Sequence, residues 1–551
     1  MHRIIHLVVI CIAILLASGM AHAQPGALDH GAFGLYDAAE LRAVDGRCSD
    51  CTTPKQAMWY FQGDLVAIPK TAQAQSTSFS QLSVAEDIRD WSHSHQAAPH
   101  VLPFMSWLGS PELIEGATLD ASGALLKLSG GQEIKFAVVP KIASNRSYFN
   151  GDTVTFFSKR NVRVRGITQT GDSGEARFVA RVLWPEDFRI DAAPAKLEAL
   201  RANESLAALM TAENGGAKAS FATRLLWQRS PATHDPPSQR AVLAFMLNGA
   251  QGDDDEAHGG HFAVVTGWQR PDGQFADWVV NNFYNLGSVS EKGIIASMLP
   301  MDNYMMDLNS GQAYYRPSYM LVAVLKRPEA ASWYQAAIER VFDRFYRHHI
   351  EYDHAQSNCA GLSLDTLSGL GWQLPQLGST SHVKAAFGYF YSSATDRSFA
   401  RGKRTFHYMV EERSRLYPRA AFETLGRDLL TLVSAPERTL TPFEQTLHDD
   451  VEAILFVRIP QIPSSRAFGT YPVASFDEYM ARVPKDRKDW KIVPVDARVF
   501  PDQLRDHPVE HSLLSDTAIG VLAVSGLALL LVTPIVIWRK RRRGRRLFGR
   551  R

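Results

Sequence analysis

Hydrophobic and polar positions along this chain change period several times, and each change predicts an element. Glu133-Ile134-Lys135-Phe136-Ala137-Val138-Val139 alternates with period two, as do Val162-Arg163-Val164-Arg165 and the segment Ala176–Val182. That period puts successive side chains on opposite faces of a strand. These segments therefore read as strands, with Thr153-Val154-Thr155-Phe156-Phe157 as another and Gly171-Asp172-Ser173-Gly174 as a turn. Residues 24–130 form a mixed opening segment with loops at 71–80. The Ala- and Leu-rich run 192–230 predicts helix, as do Phe422–Val433 and Pro442–Val457. Three prolines between 231 and 237 suggest a boundary. No internal repeat or long low-complexity tract interrupts the pattern.

Two segments are apolar throughout. Ile4–Ala17 follows a polar start containing Arg3 and leads to Ala21-His22-Ala23, the form of a secretory signal over 1–23. A retained anchor is the alternative. Thr517–Trp538 is 22 residues without a charge. At ~1.5 Å per residue it can cross a ~30 Å hydrocarbon core, and Pro534 is tolerable there. The basic run from Arg539 to Arg546 follows at once, which predicts a cytoplasmic C-terminus. A processed sorting tail is the alternative. The expected product is a single-pass membrane protein with its bulk in the periplasm or another extracytoplasmic space.

The net charge of +2 hides an asymmetry. Without Arg3 and the nine basic residues of 539–551, the chain carries 49 basic against 57 acidic residues. An acidic body is a poor nucleic-acid binder, whereas the basic tail suits anionic lipid heads. Of four cysteines, Cys11 leaves with the signal. Cys48 and Cys51, in Cys-Ser-Asp-Cys, are natural disulfide mates in an oxidising compartment, with a redox pair as the alternative. Cys359 is left over, either buried and inert or kept for chemistry.

His261 opens the apolar run Gly260-His261-Phe262-Ala263-Val264-Val265-Thr266-Gly267, a buried strand led by an imidazole. Pro271-Asp272-Gly273 is a turn, and Phe275–Tyr284 reads as the returning strand. A simple hairpin register sets Asn282 opposite His261 on the same face; a bulge at Gly273 would favour Asn281. Such an amide accepts one ring N–H and fixes the tautomer of a base. Cys359 begins a predicted helix, with Ser357 or Asn358 as its cap. A helix N-terminus favours thiolate, so a depressed thiol pKa is expected, and the backbone N–H at Cys359 is a candidate oxyanion donor. His354 is a substitute base of lower weight.

A strand-leading His in Gly-Gly-His-Phe-Ala-Val-Val-Thr-Gly, a polar residue on the next strand and a later Asn-Cys opening a helix resemble the permuted papain-like superfamily. That group includes NlpC/P60-related and lecithin:retinol acyltransferase-like proteins, and the segment is also similar to uncharacterised papain-like periplasmic domains of bacterial membrane proteins. The resemblance covers roughly 238–380. The residues after the cysteine are Ala-Gly-Leu, not the Glu-His-Phe of the acyltransferases. What it implies is a thiol-dependent amidase, esterase or acyltransferase with Cys359 as nucleophile, His261 as base and Asn282 (or Asn281) as orienter.

Competing constellations are weaker. Asp253–His261 and the group His348, His349, Glu351, Asp353 and His354 carry metal-ligand chemistry, but the first lacks helical spacing and the second reads as a helix end. No metal site and no cofactor are expected. The expected fold class is α+β, in a multidomain exported protein: signal 1–23, a β-rich region 24–190, a helical linker 191–237, a papain-like domain 238–380, a mixed extension 381–512, a transmembrane helix 517–538 and a basic cytoplasmic tail 539–551. The expected function is a cell-envelope cysteine hydrolase or acyltransferase acting on a peptide, a lipid ester or an acylated protein. The alternatives are a non-catalytic envelope binding or assembly protein and, third, a metal-dependent hydrolase.

Overall fold

The computed structural model describes residues 32–45, 65–70, 82–94, 105–140, 148–171, 174–190, 197–229, 240–251, 257–284, 296–346, 349–464 and 469–489. The signal, the Cys48–Cys51 pair, the acidic run 253–256, the apolar segment 517–538 and the basic tail lie outside these residues. Among the described residues no helix is long and apolar enough to cross a membrane.

The protein is α+β. In chain order its strands are β1 (Ala32–Phe33), β2 (Tyr36–Asp37), β3 (Leu41–Asp45), β4 (Leu65–Pro69), β5 (Ser106–Trp107), β6 (Glu112–Leu119), β7 (Leu125–Lys127), β8 (Glu133–Val138), β9 (Asn161–Thr170), β10 (Ala176–Pro185), β11 (Ala222–Gln228), β12 (Ala241–Asn248), β13 (His261–Trp268), β14 (Val279–Asn282), β15 (Ser297–Pro300), β16 (Ser318–Leu325) and β17 (Val451–Ile459). Strands β6 to β10 close into a small barrel in the order β10-β8-β7-β6-β9. Ten others form one sheet in the order β11-β17-β16-β12-β13-β14-β15-β5-β4-β3. That sheet draws strands from both sides of 238–380, so neither boundary separates one sheet from another.

The centre of the large sheet is buried on both faces. Every residue of β12 and β16 is buried, as is all of β13 but Trp268. Their near-continuous apolar runs suit strands covered on both sides. Helices α1 (Glu329–Tyr346), α2 (Cys359–Leu370) and α3 (Pro418–Ser434) pack against β13.

Three expected elements take another form. Thr153–Phe157 is helical, as part of Gly151–Phe157, because Asn150 caps the Asp152 N–H at 3.1 Å and the Thr153 hydroxyl is held by the carbonyls of Tyr148 and Pro463. The helical linker 191–237 contains a short helix, Leu206–Gly215, and then β11, which pairs with β17 at the sheet edge. The helix predicted over Pro442–Val457 stops at Asp450, and β17 begins at Val451 between β11 and β16. In the last two cases strand pairing outweighs local propensity.

The polar face of β9 is not a solvent face. Arg163 and Arg165 are 3% exposed and reach Asp302 at 3.1 and 2.6 Å; Arg163 also binds Asp277 at 3.1 Å. Asp277 precedes β14 and Asp302 follows β15, so this ionic cluster joins the barrel to the sheet. Removing one partner leaves buried charge uncompensated, typically at a cost of about 3–5 kcal/mol. Asp302→Ala should therefore lower stability by that order in urea unfolding. A loss under about 1 kcal/mol would show that the cluster does not hold the two sheets together.

Candidate active site

His261 enters β13 directly after Gly260, whose φ of +73° admits few other residues; a Cβ there would lie 2.5 Å from the Asn248 carbonyl oxygen. The turn at Arg270–Gly273 forms, with the Gly273 N–H 3.0 Å from the Arg270 carbonyl. The return strand is shorter than the sequence suggests. Phe275 packs edge-on to Trp184 of the barrel, and the Trp278 indole donates to the Trp268 carbonyl at 2.8 Å, so β14 starts only at Val279. Val264 pairs with Asn281 and Thr266 with Val279. The register is thus displaced by two residues from the simple hairpin that would set Asn282 directly opposite His261. An even displacement preserves the face. The two side chains meet diagonally, with His261 Nε2 2.5 Å from Asn282 Oδ1. Asn281 faces the other way, donating to the Val264 carbonyl at 3.1 Å and to Gln335 at 3.3 Å.

Cys359 is the first residue of α2. Asn358 is the cap: its Oδ1 accepts the Gly361 N–H at 2.8 Å, and its Nδ2 donates to the His354 carbonyl at 3.0 Å. At Gly361 a Cβ would meet nothing nearer than 3.5 Å, so a side chain would fit there. The groups that favour the Cys359 thiolate are the Phe262 N–H, the Tyr352 hydroxyl, the Ala360 N–H and its own N–H. Phe262 follows His261 directly, so the first of these groups belongs to the histidine strand.

Both groups are buried, Cys359 at 4% and His261 at 2% exposure. Burial pushes the Cys359 thiol above its ordinary value, and the N–H and hydroxyl groups that favour the thiolate offset only part of that. The expected depression of the thiol pKa is therefore not found: desolvation outweighs the helix N-terminus. Burial first, and the Arg316 charge second, bring His261 down to about 3, against an opposing bond from Asn282. The resting pair is a neutral thiol and a neutral imidazole. An amide oxygen only accepts, so Nε2 carries the ring proton and Nδ1 keeps its lone pair.

The sequence gives no warning of the residues around this pair. His261, Asn248 and Ser318 are cross-strand partners on β13, β12 and β16. Asn248 donates to Ser318 Oγ at 2.8 Å and accepts from the Tyr304 hydroxyl. The rings of Tyr284 and Tyr304 lie 5.2 and 6.4 Å from that of His261. Tyr304 comes from the helix Met301–Met306, in the stretch 298–315; its one signal in the sequence is the density of Asn and Tyr among apolar residues. His354 is exposed, with its ring edge-on to Tyr352 at 5.2 Å, and stands outside the buried group. Among the described residues no His, Cys, Asp and Glu cluster could hold a metal ion. An open cavity of about 540 Å³ lies elsewhere, on Lys159, Glu186 and Phe221 among others, and its lining has no thiol or imidazole.

The depressed imidazole has a consequence for stability. Above pH ~6.5 it is neutral whether the chain is folded or unfolded, and it contributes no pH dependence. Below that, the unfolded chain takes up a proton that the folded one refuses until about pH 3, so stability falls with pH. Between about pH 7.5 and 4.5, wild type should lose roughly 2–3 kcal/mol more than His261→Gln in urea unfolding. Equal losses would mean that the fold does not hold the ring neutral. No family model matches this chain, and no curated protein or solved structure matches it, so the functional reading rests on the geometry of this site.

Proposed function

We propose that this protein is a thiol-dependent acyl hydrolase or acyltransferase of the cell envelope, with Cys359 as nucleophile, His261 as base and Asn282 as orienter. One observation carries the reading: the Phe262 N–H, next in chain to His261, is the first of the groups that favour the Cys359 thiolate, and His261 Nε2 is held by Asn282. That is the order of nucleophile, base and orienter that covalent acyl transfer requires. In the proposed step the Cys359 S–H proton passes to His261 Nδ1 as sulfur adds to the carbonyl carbon of an amide or ester. The oxyanion is received by the N–H groups of Cys359 and Ala360 at the start of α2. Collapse expels the amine or alcohol, which takes the proton from His261. Water or an acceptor nucleophile then cleaves the thioester.

The proposed setting follows from the ends of the chain: export through 1–23, a span at 517–538 and a basic tail against anionic lipid. Peptide crosslinks, lipid esters and acylated proteins are the candidate substrates at such a surface. A second reading, a binding or assembly protein without turnover, is favoured by the two burial-driven shifts, which leave thiol and imidazole uncharged at rest.

The test uses the full-length chain in detergent with p-nitrophenyl acetate, read by intact-protein mass spectrometry and peptide mapping. Wild type should carry an acetyl group on Cys359, Cys359→Ala should not, and His261→Ala should acylate at least about 100-fold more slowly. Folded wild type that never acylates Cys359 across about pH 6–9 would favour the second reading. A further comparison separates the orienter from a packing role. Asn282→Ala should lower the acylation rate more than Asn281→Ala, although both side chains are buried; the reverse order would remove Asn282 from the site.

A further inference from the structure

Near the imidazole lies a charge that no carboxylate among the described residues balances. Arg316 is 2% exposed. It precedes β16, and its backbone is fixed: a Cβ on Gly469 would lie 2.6 Å from the Arg316 Cα, and the Gly249 N–H bonds the Pro317 carbonyl at 2.8 Å. The guanidinium makes one hydrogen bond, from Nη1 to the Gly249 carbonyl at 3.2 Å. Its Nε is enclosed and has no partner. Among the described residues no carboxylate pairs with it, whereas the buried arginines Arg163 and Arg165 share two aspartates. A buried guanidinium with a single neutral partner is costly, and this cost is normally offset by a counter-ion.

Its place in the sheet says what that counter-ion serves. Arg316 holds Gly249, the residue after Asn248, and Asn248 is the cross-strand partner of His261. Adjacent strands lie ~4.8 Å apart, so Arg316 and His261 are separated by roughly two strand spacings. We propose that Arg316 is the receptor for a carboxylate on the substrate, which makes the substrate class an amide or ester with a free carboxylate a few bonds from the reacting carbonyl. The inference rests on the acyl-transfer reading of the same site. A guanidinium fork matches a carboxylate in shape and charge, and its unused donors are those a bidentate pair requires. The same pairing would act on the chemistry. The Arg316 charge is one of the two influences that lower His261, so a bound carboxylate screens it and raises the basicity of the ring when substrate is present.

The test compares two small probes that differ only in charge, N-acetylglycine and N-acetylglycinamide, on the full-length chain at neutral pH. Binding is read by thermal shift, which does not need a reactive thiol. N-acetylglycine should raise Tm with concentration and its amide should not. The rise should vanish in Arg316→Gln and persist in part in Arg316→Lys. A charge-assisted pair of this kind corresponds to roughly 10- to 100-fold in affinity between the two probes. Equal shifts with acid and amide, or a shift unchanged in Arg316→Gln, would overturn the proposal. So would stabilisation by inorganic phosphate without any by N-acetylglycine. If Arg316→Gln does not fold, the wild-type comparison of acid with amide decides alone. Neutralising the acidic run, Asp253→Asn through Glu256→Gln, provides a further check: acid binding that appears only in that variant would assign Arg316 to the chain's own acids instead. Alkylation of Cys359 separates this inference from the reading beneath it. Iodoacetate should be favoured over iodoacetamide relative to a free thiol. Reaction with iodoacetamide but no preference for the anion overturns the receptor alone, whereas a carboxylate-dependent Tm shift with no acylation of Cys359 overturns catalysis and leaves the receptor standing.

Discussion

The central strands of the large sheet are covered on both faces, and every polar group they carry must find its partner inside the protein. This constraint shapes the whole site. Water is not available to solvate Asn248, His261 or Asn282, so each is bonded to another side chain. The bond between His261 and Asn282 is therefore a structural necessity as well as a chemical opportunity. The same rule operates at the edge of the barrel, where Arg163 and Arg165 are admitted to the interior only because Asp277 and Asp302 meet them.

Desolvation also sets the electrical state of the pair. A thiol at a helix N-terminus, with N–H and hydroxyl groups favouring its thiolate, would in a wetter place be partly ionised. Here burial outweighs those donors, and burial together with Arg316 keeps the imidazole neutral. The thiol and imidazole are thus uncharged, and Arg316, with no carboxylate partner among the described residues, lies nearby. Under the proposed reading, a base that becomes effective when an anion arrives would link specificity to activation through Arg316.

Some of this was legible without coordinates. An apolar run led by a histidine and an Asn-Cys at the head of an apolar helix both depend on local pattern, and both elements form where the pattern sets them. The face of Asn282 was legible too, because side-chain parity survives any even change of register. The register itself was not, since Phe275 and Trp278 are drawn into contacts with Trp184 and Trp268 that lie outside the hairpin. The tyrosines and Arg316 were not legible either. Tyr284 reaches the site from just after β14, and Tyr304 and Arg316 from the segment before β16, and nothing in their own neighbourhoods records what they face.

What the sequence determined by itself is therefore local and compositional: the α+β class, the histidine strand, the cysteine helix with its asparagine cap, and the one unpaired thiol in the described body. These follow from periodicity, capping and propensity, which act over a few residues. Only the tertiary structure decided that strands from 41–107 and 451–459 share one sheet with 238–325, that Arg163 and Arg165 turn inward, and that the thiol is raised and the imidazole lowered. Each of these depends on what is packed against a residue from elsewhere in the chain. Pairing energy and desolvation are properties of surroundings that no local stretch of sequence contains.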